Sequence, residues 1–191
     1  MLEAKNEIFE HLERCGLKCR IWLGAQGPEM LKAASRFDGA LLNYSDPEML
    51  AWALKKISTT NETHKWVAGI FAPTYIYREF KPEIYRVLRL ASATVALGTS
   101  DHVLKRFGLK DSITPIRRDH GSKNLSTSIL EMVPPTVTDR FCILKNKNDL
   151  PDYIRTLESL GIEQVVFAYP QAISLETIRE LGEILEATSK E

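Results

Sequence analysis

The sequence predicts an α/β fold: a partial (half) TIM-type (β/α) barrel with parallel strands and an inserted helical lobe. Three observations predict it. Helical periodicity alternates along the chain with short apolar runs, the order that builds a parallel sheet with crossover helices. Four such runs stand at 20–23, 39–43, 64–72 and 164–168, half the strands of an eight-stranded barrel. The gap from 72 to 164 far exceeds an ordinary connection, so it must hold an added helical lobe, at about 75–140. Residues 1–191 read as a single domain.

The elements follow in order. Residues 1–15 are helical, with Ile8, Leu12 and Cys15 on one face and Gly16 as a stop. The first strand at 20–23 runs into a turn, and a helix follows at 28–36. Asp38-Gly39-Ala40-Leu41-Leu42-Asn43 is a continuous apolar run suited to a parallel sheet. Asp46-Pro47-Glu48 opens the next helix: Asp46 caps, Pro47 takes the first helical position, and Glu48 suits the positive end. Its inner face is Leu50, Leu54 and Ile57.

After the third strand, Ile84, Val87, Leu88, Ala91 and Val95 keep helical period through about 77–97, and Gly98 ends the helix. Short helices are expected at 101–107, 125–132 and 136–141, with Pro134-Pro135 between the last two. The stretch 109–124, with Arg117-Arg118-Asp119-His120-Gly121-Ser122-Lys123 at its centre, reads as an exposed mobile loop. Asn148 or Asp149 starts a helix facing inward through Tyr153, Ile154, Leu157 and Leu160, and Gly161 terminates it. After the last strand, Ser174 caps a helix expected to bury Ile178, Leu181 and Leu185.

Composition narrows the function classes. Lys plus Arg (25) equals Asp plus Glu (25). This balance gives no reason to expect nucleic acid or an acidic membrane as partner, and it provides little repulsion against self-association. No apolar run approaches the roughly 20 residues of a membrane span, and residues 1–7 are too polar for a secretory signal, so a cytoplasmic location is expected. The three cysteines, Cys15, Cys19 and Cys142, do not make a disulfide framework. Cys15 and Cys19 lack a matching His or Cys cluster, so no metal site is expected, and they read as small apolar side chains. Phosphate-loop, dinucleotide-fingerprint, hydrolase-elbow and zinc-protease motifs are all absent.

The most informative stretch is Ile21-Trp22-Leu23-Gly24-Ala25-Gln26-Gly27-Pro28-Glu29-Met30. A strand rising into a glycine-bearing turn and then a helix can hold an anion, because backbone approaches the ligand closely and amides at the helix start point outward. The same residues also read as an ordinary tight turn. Asn43 and Asp46 end the second strand, where barrels place ligand-facing groups; a turn Asn and a helix cap is the plainer reading. His64, His102 and His120 have no metal-ligand spacing, and His120 is a general-base candidate or a solvated loop residue. Arg117 and Arg118 suit an acidic coenzyme tail, a partner, or plain surface. Trp22, Trp52 and Trp66 read as core or interface aromatics.

At these residues the chain resembles the C-terminal half of the luciferase-like monooxygenase superfamily, nearest the coenzyme F420-dependent methylenetetrahydromethanopterin reductases. The carriers are Trp22-Leu23-Gly24-Ala25-Gln26-Gly27-Pro28-Glu29-Met30-Leu31, Phe37-Asp38-Gly39-Ala40-Leu41-Leu42-Asn43 and Ser45-Asp46-Pro47, with Leu157-Glu158-Ser159-Leu160-Gly161-Ile162-Glu163-Gln164-Val165-Val166 as a further match. The resemblance is specific over 20–50, moderate over 125–169, and limited to helical character over 75–124. It implies that Gly24, Ala25, Gln26 and Gly27 contact the phosphate end of coenzyme F420 or FMN. Family barrels have about 300 residues or more, above the roughly 250 typical of the fold, and their first four strand–helix units have no counterpart here. Those units supply much of the ring-binding surface, including a non-prolyl cis peptide and acidic or His residues, so no catalytic residue is assigned in this chain. Two departures are local: Glu29 stands where relatives often carry a basic residue, and Lys145-Asn146-Lys147 replaces a Gly-Thr-Pro.

A four-stranded piece of barrel has two raw edges and an exposed apolar inner face. The expected partners are therefore a second copy, as a homodimer, or a chain supplying the N-terminal half barrel; the helical lobe folding over the open face is a third solution. Two functions stay open: an F420- or FMN-dependent oxidoreductase active only in such an assembly, or a non-catalytic scaffold subunit or small-ligand binder.

Overall fold

The computed structural model describes residues 2–57, 66–120 and 133–188. Five parallel strands form one sheet: β1 (Trp22–Ala25), β2 (Gly39–Leu42), β3 (Val67–Tyr77), β4 (Ile143–Asn146) and β5 (Ile162–Ala168). Trp22 aligns with Gly39, Gly39 with Val67, and Ala68 with Ile162, so β1, β2, β3 and β5 lie side by side in one direction. These are the four strands expected from sequence, except that β1 lies two residues beyond the expected 20–23, so Gly24 and Ala25 pair with Leu41 and Leu42 in the sheet instead of forming the turn; the sheet is not closed. β3 extends further than expected, to Tyr77, while positions 64–65 of the expected third strand lie outside the described residues.

β4 was not legible in the sequence. It pairs with the upper part of β3, Thr74 with Ile143 through Tyr77 with Asn146, beyond the end of β2. There Ser45 Oγ donates to Cys142 O at 2.8 Å, and the buried Tyr153 hydroxyl donates to Ser45 O at 2.8 Å. The remaining need of β3 is met by a side chain. Gln171, 2% exposed, accepts from Ile76 N at 2.6 Å and donates to Ile76 O at 3.4 Å and Thr177 O at 3.0 Å. This amide stands in for a strand. Gln171→Ala is expected to lower stability by roughly 2–3 kcal/mol in urea titration, because it leaves buried backbone groups unpaired.

The helices are α1 (Leu2–Arg14), α2 (Pro28–Ala34), α3 (Pro47–Lys56), α4 (Pro82–Gly98), α5 (Asp101–Arg106), α6 (Lys110–His120), α7 (Pro135–Phe141), α8 (Leu150–Ser159) and α9 (Leu175–Thr188). Side chains alternate across the strands. Ala40, Leu42, Ala68, Ile70 and Ala72 join the helices in the core. Trp22, Leu41, Gly69 and Phe71 share the opposite, inner face, where the Trp22 ring lies against Gly39 and Gly69. Phe71 there is 46% exposed.

Three expectations need correction. Residues 110–120 are helical rather than a loop, and 121–124 lie outside the described residues, as does the helix expected at 125–132. Ile113 and Ile116 are fully buried, and Asp101 is held by Lys110 Nζ at 3.0 Å and by Arg117. The helix after β3 begins at Pro82 rather than 77, because residues 74–77 pair with β4. Finally, α9 buries Thr177 and Ile184 and leaves Ile178 exposed, since the Gln171–Thr177 bond sets the rotation of the helix.

Candidate functional site

The turn after β1 is built by its neighbours. Ala25 is buried in the core, while Gly24 is exposed at the C-terminal edge of the sheet. Gly27 precedes α2 in extended conformation (φ −99°, ψ 162°), Pro28 takes the first helical position, and Leu31 N donates to Gly27 O at 2.9 Å. Gln26 reaches away from the turn. Its Nε2 donates to Val95 O at 3.1 Å and to Thr99 Oγ1, both at the end of α4. Its carbonyl accepts from the buried Tyr44 hydroxyl, whose ionisation burial pushes up.

Two consequences follow. A Cβ at Gly24 or Gly27 would meet nothing within 4 Å, so the backbone at both positions faces open space. No side chain caps the start of α2. This backbone is sterically open, and the turn carries no group for proton transfer: Gln26 is its only polar side chain, and that is spent on α4. Glu29 is exposed beside Lys32 at 3.0 Å, a surface pair that partly offsets its charge.

Asp46 serves as the cap of α3, accepting from Met49 N at 3.0 Å, and it pairs with Arg140 at 2.5 Å. Asn43 is half-buried at the top of β2. Arg117 is consumed by structure: besides Asp101, it donates to Leu97 O at 3.2 Å and to Thr99 O. His102 lies exposed on α5, and His64 lies outside the described residues. Among the described residues, no group of three or more His, Cys, Asp or Glu suits a metal ion, and no helix is long and apolar enough to cross a membrane. Trp52 is buried in the core and Trp66 Nε1 donates to Ala34 O at 3.2 Å. Cys15 and Cys19 are exposed; Cys142 is buried, and burial pushes its thiol up. The site thus brings Gly24, Ala25, Gln26 and Gly27 together with Tyr44 and Thr99, two residues with no motif or spacing that marks them beforehand.

No family model matches this chain. It is similar to the 5,10-methylenetetrahydromethanopterin reductase of Methanopyrus kandleri, 28% identical over 155 residues, covering 78% of this chain and 44% of that protein. The enzyme of the same name from Archaeoglobus fulgidus is 27% identical over 162 residues, with 78% and 48% covered. The solved structure of the coenzyme F420-dependent tetrahydromethanopterin reductase of Methanopyrus kandleri superposes with a TM-score of 0.65 at 23% identity, over 80% of this chain and 45% of that one. The chain spans less than half the length of these relatives. With four parallel strands and the Gln26–Gly27 turn between β1 and α2, the chain is similar, over less than half of their length, to the methylenetetrahydromethanopterin reductases and shares the fold of that part.

Proposed function

We propose that this chain is the phosphate-gripping part of an F420-type luciferase-like oxidoreductase, whose reaction centre is complete only when the barrel is completed. The observation that carries this reading is the strand–turn–helix corner at 24–28, with open space at Gly24 and Gly27 and an uncapped helix start behind them. The relatives are named as reductases, and one is described as coenzyme F420 dependent. Gly24, Ala25, Gln26 and Gly27 would hold the phosphate end of F420, or of FMN, through backbone contact. When bound, a deazaflavin or flavin supplies hydride transfer; this chain's own contribution is to bind and orient.

The test is titration of the purified chain with reduced and oxidised F420 and with FMN, repeated on Gly24→Asp. The new side chain enters free space, so folding stability should change by no more than about 0.5 kcal/mol. A carboxylate there should weaken coenzyme binding at least tenfold. Equal affinity in both forms would overturn the assignment. A second reading, a scaffold subunit or small-ligand binder, is favoured by one observation: the only polar side chain of the turn is already bonded to α4. Absence of binding with and without a completed barrel would leave that reading.

A further inference from the structure

We propose that the occupant of the open barrel face is a second copy of this chain, with β1 of each copy against β5 of the other about a twofold axis along the barrel. The proposal deepens the reading that the barrel must be completed, and it stands on exposure and topology, not on the coenzyme.

Apolar side chains are left uncovered at both ends of the sheet. At the β1 end, α1 is anchored to the body through Lys5, which donates to Arg36 O and lies 5.2 Å from the centre of the Phe37 ring. Ile8 and Phe9 on α1 are 51% and 43% exposed, and Leu17 after it is 54% exposed. A hollow of about 730 Å³ opens between α1 and the entry to β1, lined by Phe9, Leu12, Leu17 and Arg20 among others. At the β5 end, Tyr169 directly after the strand is 55% exposed, and Ile173, Leu175 and Ile178 are exposed on the segment that follows. Phe71 lies on the inner face between the two ends. Exposed apolar groups gathered on a face mark an interaction surface.

The topology suits a second copy as the occupant. β1 and β5 each use one edge within this chain and run in the same direction. One twofold operation joins both remaining edges at once, β1 to β5 and β5 to β1, with every strand still parallel. Four strands and four strands make the eight of the closed cylinder. Parallel pairing also brings the starts of the two strands together, so the exposed Lys18 and Arg20 before β1 meet the exposed Glu158 before β5. The chain's zero net charge adds no repulsion between copies.

Light scattering on the eluting 191-residue chain should read twice its 21.7 kDa mass. Phe9→Glu and Tyr169→Glu each alter an exposed side chain, so circular dichroism should be unchanged while the dimer dissociates at least tenfold more readily. The decisive step is to mix the two variants. In the proposed pairing both substitutions fall on the same seam of the mixed dimer and the other seam is wild type, so the mixture should regain the dimer mass. A monomer at tens of micromolar would overturn the proposal, as expected if a different chain supplies the missing strands. A dimer indifferent to both variants, or one not restored by mixing, would also overturn it. Coenzyme is absent throughout, so failure here leaves the phosphate assignment to its own titration.

Discussion

Gly39→Val should destabilise the chain by about 3 kcal/mol or more, the upper end of what overpacking costs. A Cβ built on Gly39 falls 2.5 Å from the carbonyl oxygen of Val67 and 3.0 Å from two ring atoms of Trp22. The carbonyl belongs to the ladder that pairs β2 with β3 and cannot retreat without breaking register. The ring is held across the inner face, against Gly69 as well. Trp22→Ala should therefore rescue Gly39→Val only in part, because the backbone clash stays. Gly24→Ala, one pairing step further up the same face, is the control: its Cβ meets nothing, and the urea midpoint should hardly move.

Tyr44→Ala should cost about 3–5 kcal/mol, the usual range for truncating a buried aromatic. Tyr44 is fully buried, with ring centres 6.4 Å from Trp52 and 6.1 Å from Phe141. Tyr44→Phe keeps the packing and removes only the hydroxyl that satisfies Gln26 O, so it should cost roughly 1–2 kcal/mol. The two substitutions separate the core from the turn. If Tyr44→Phe matches Tyr44→Ala in chemical denaturation, the hydroxyl matters more than the ring, contrary to this account.

The barrel strands were legible because Ala40-Leu41-Leu42 and Val165-Val166-Phe167 are short continuous apolar runs bounded by helices. β4 was not, because Ile143-Leu144-Lys145-Asn146 is half polar and pairs along four residues only. α6 was hidden by Pro115 and by Arg117-Arg118, which suggest a solvated loop; Ile113 and Ile116, three apart, were the helical signal in that stretch. The position of the turn at Gly24–Pro28 could be read from its motif, and the cap at Asp46 from Asp-Pro-Glu. What holds the turn could not, since the partners of Gln26 lie 69 and 73 residues further along. On α9 the apolar spacing is right for Leu181 and Leu185, which pack against the core, and fails at Ile178, which is exposed because a distant amide, Gln171 against Ile76, sets the start of the helix.

The reach of Gln26 to α4 also bears on the order in which the molecule matures. Contacts so remote along the chain form late in folding, after local helices and neighbouring strands. A polypeptide emerging from the ribosome would therefore carry a loose β1–α2 corner until residues 95–99 had been synthesised and seated. Amide exchange during refolding should find the corner among the last segments to become shielded from solvent.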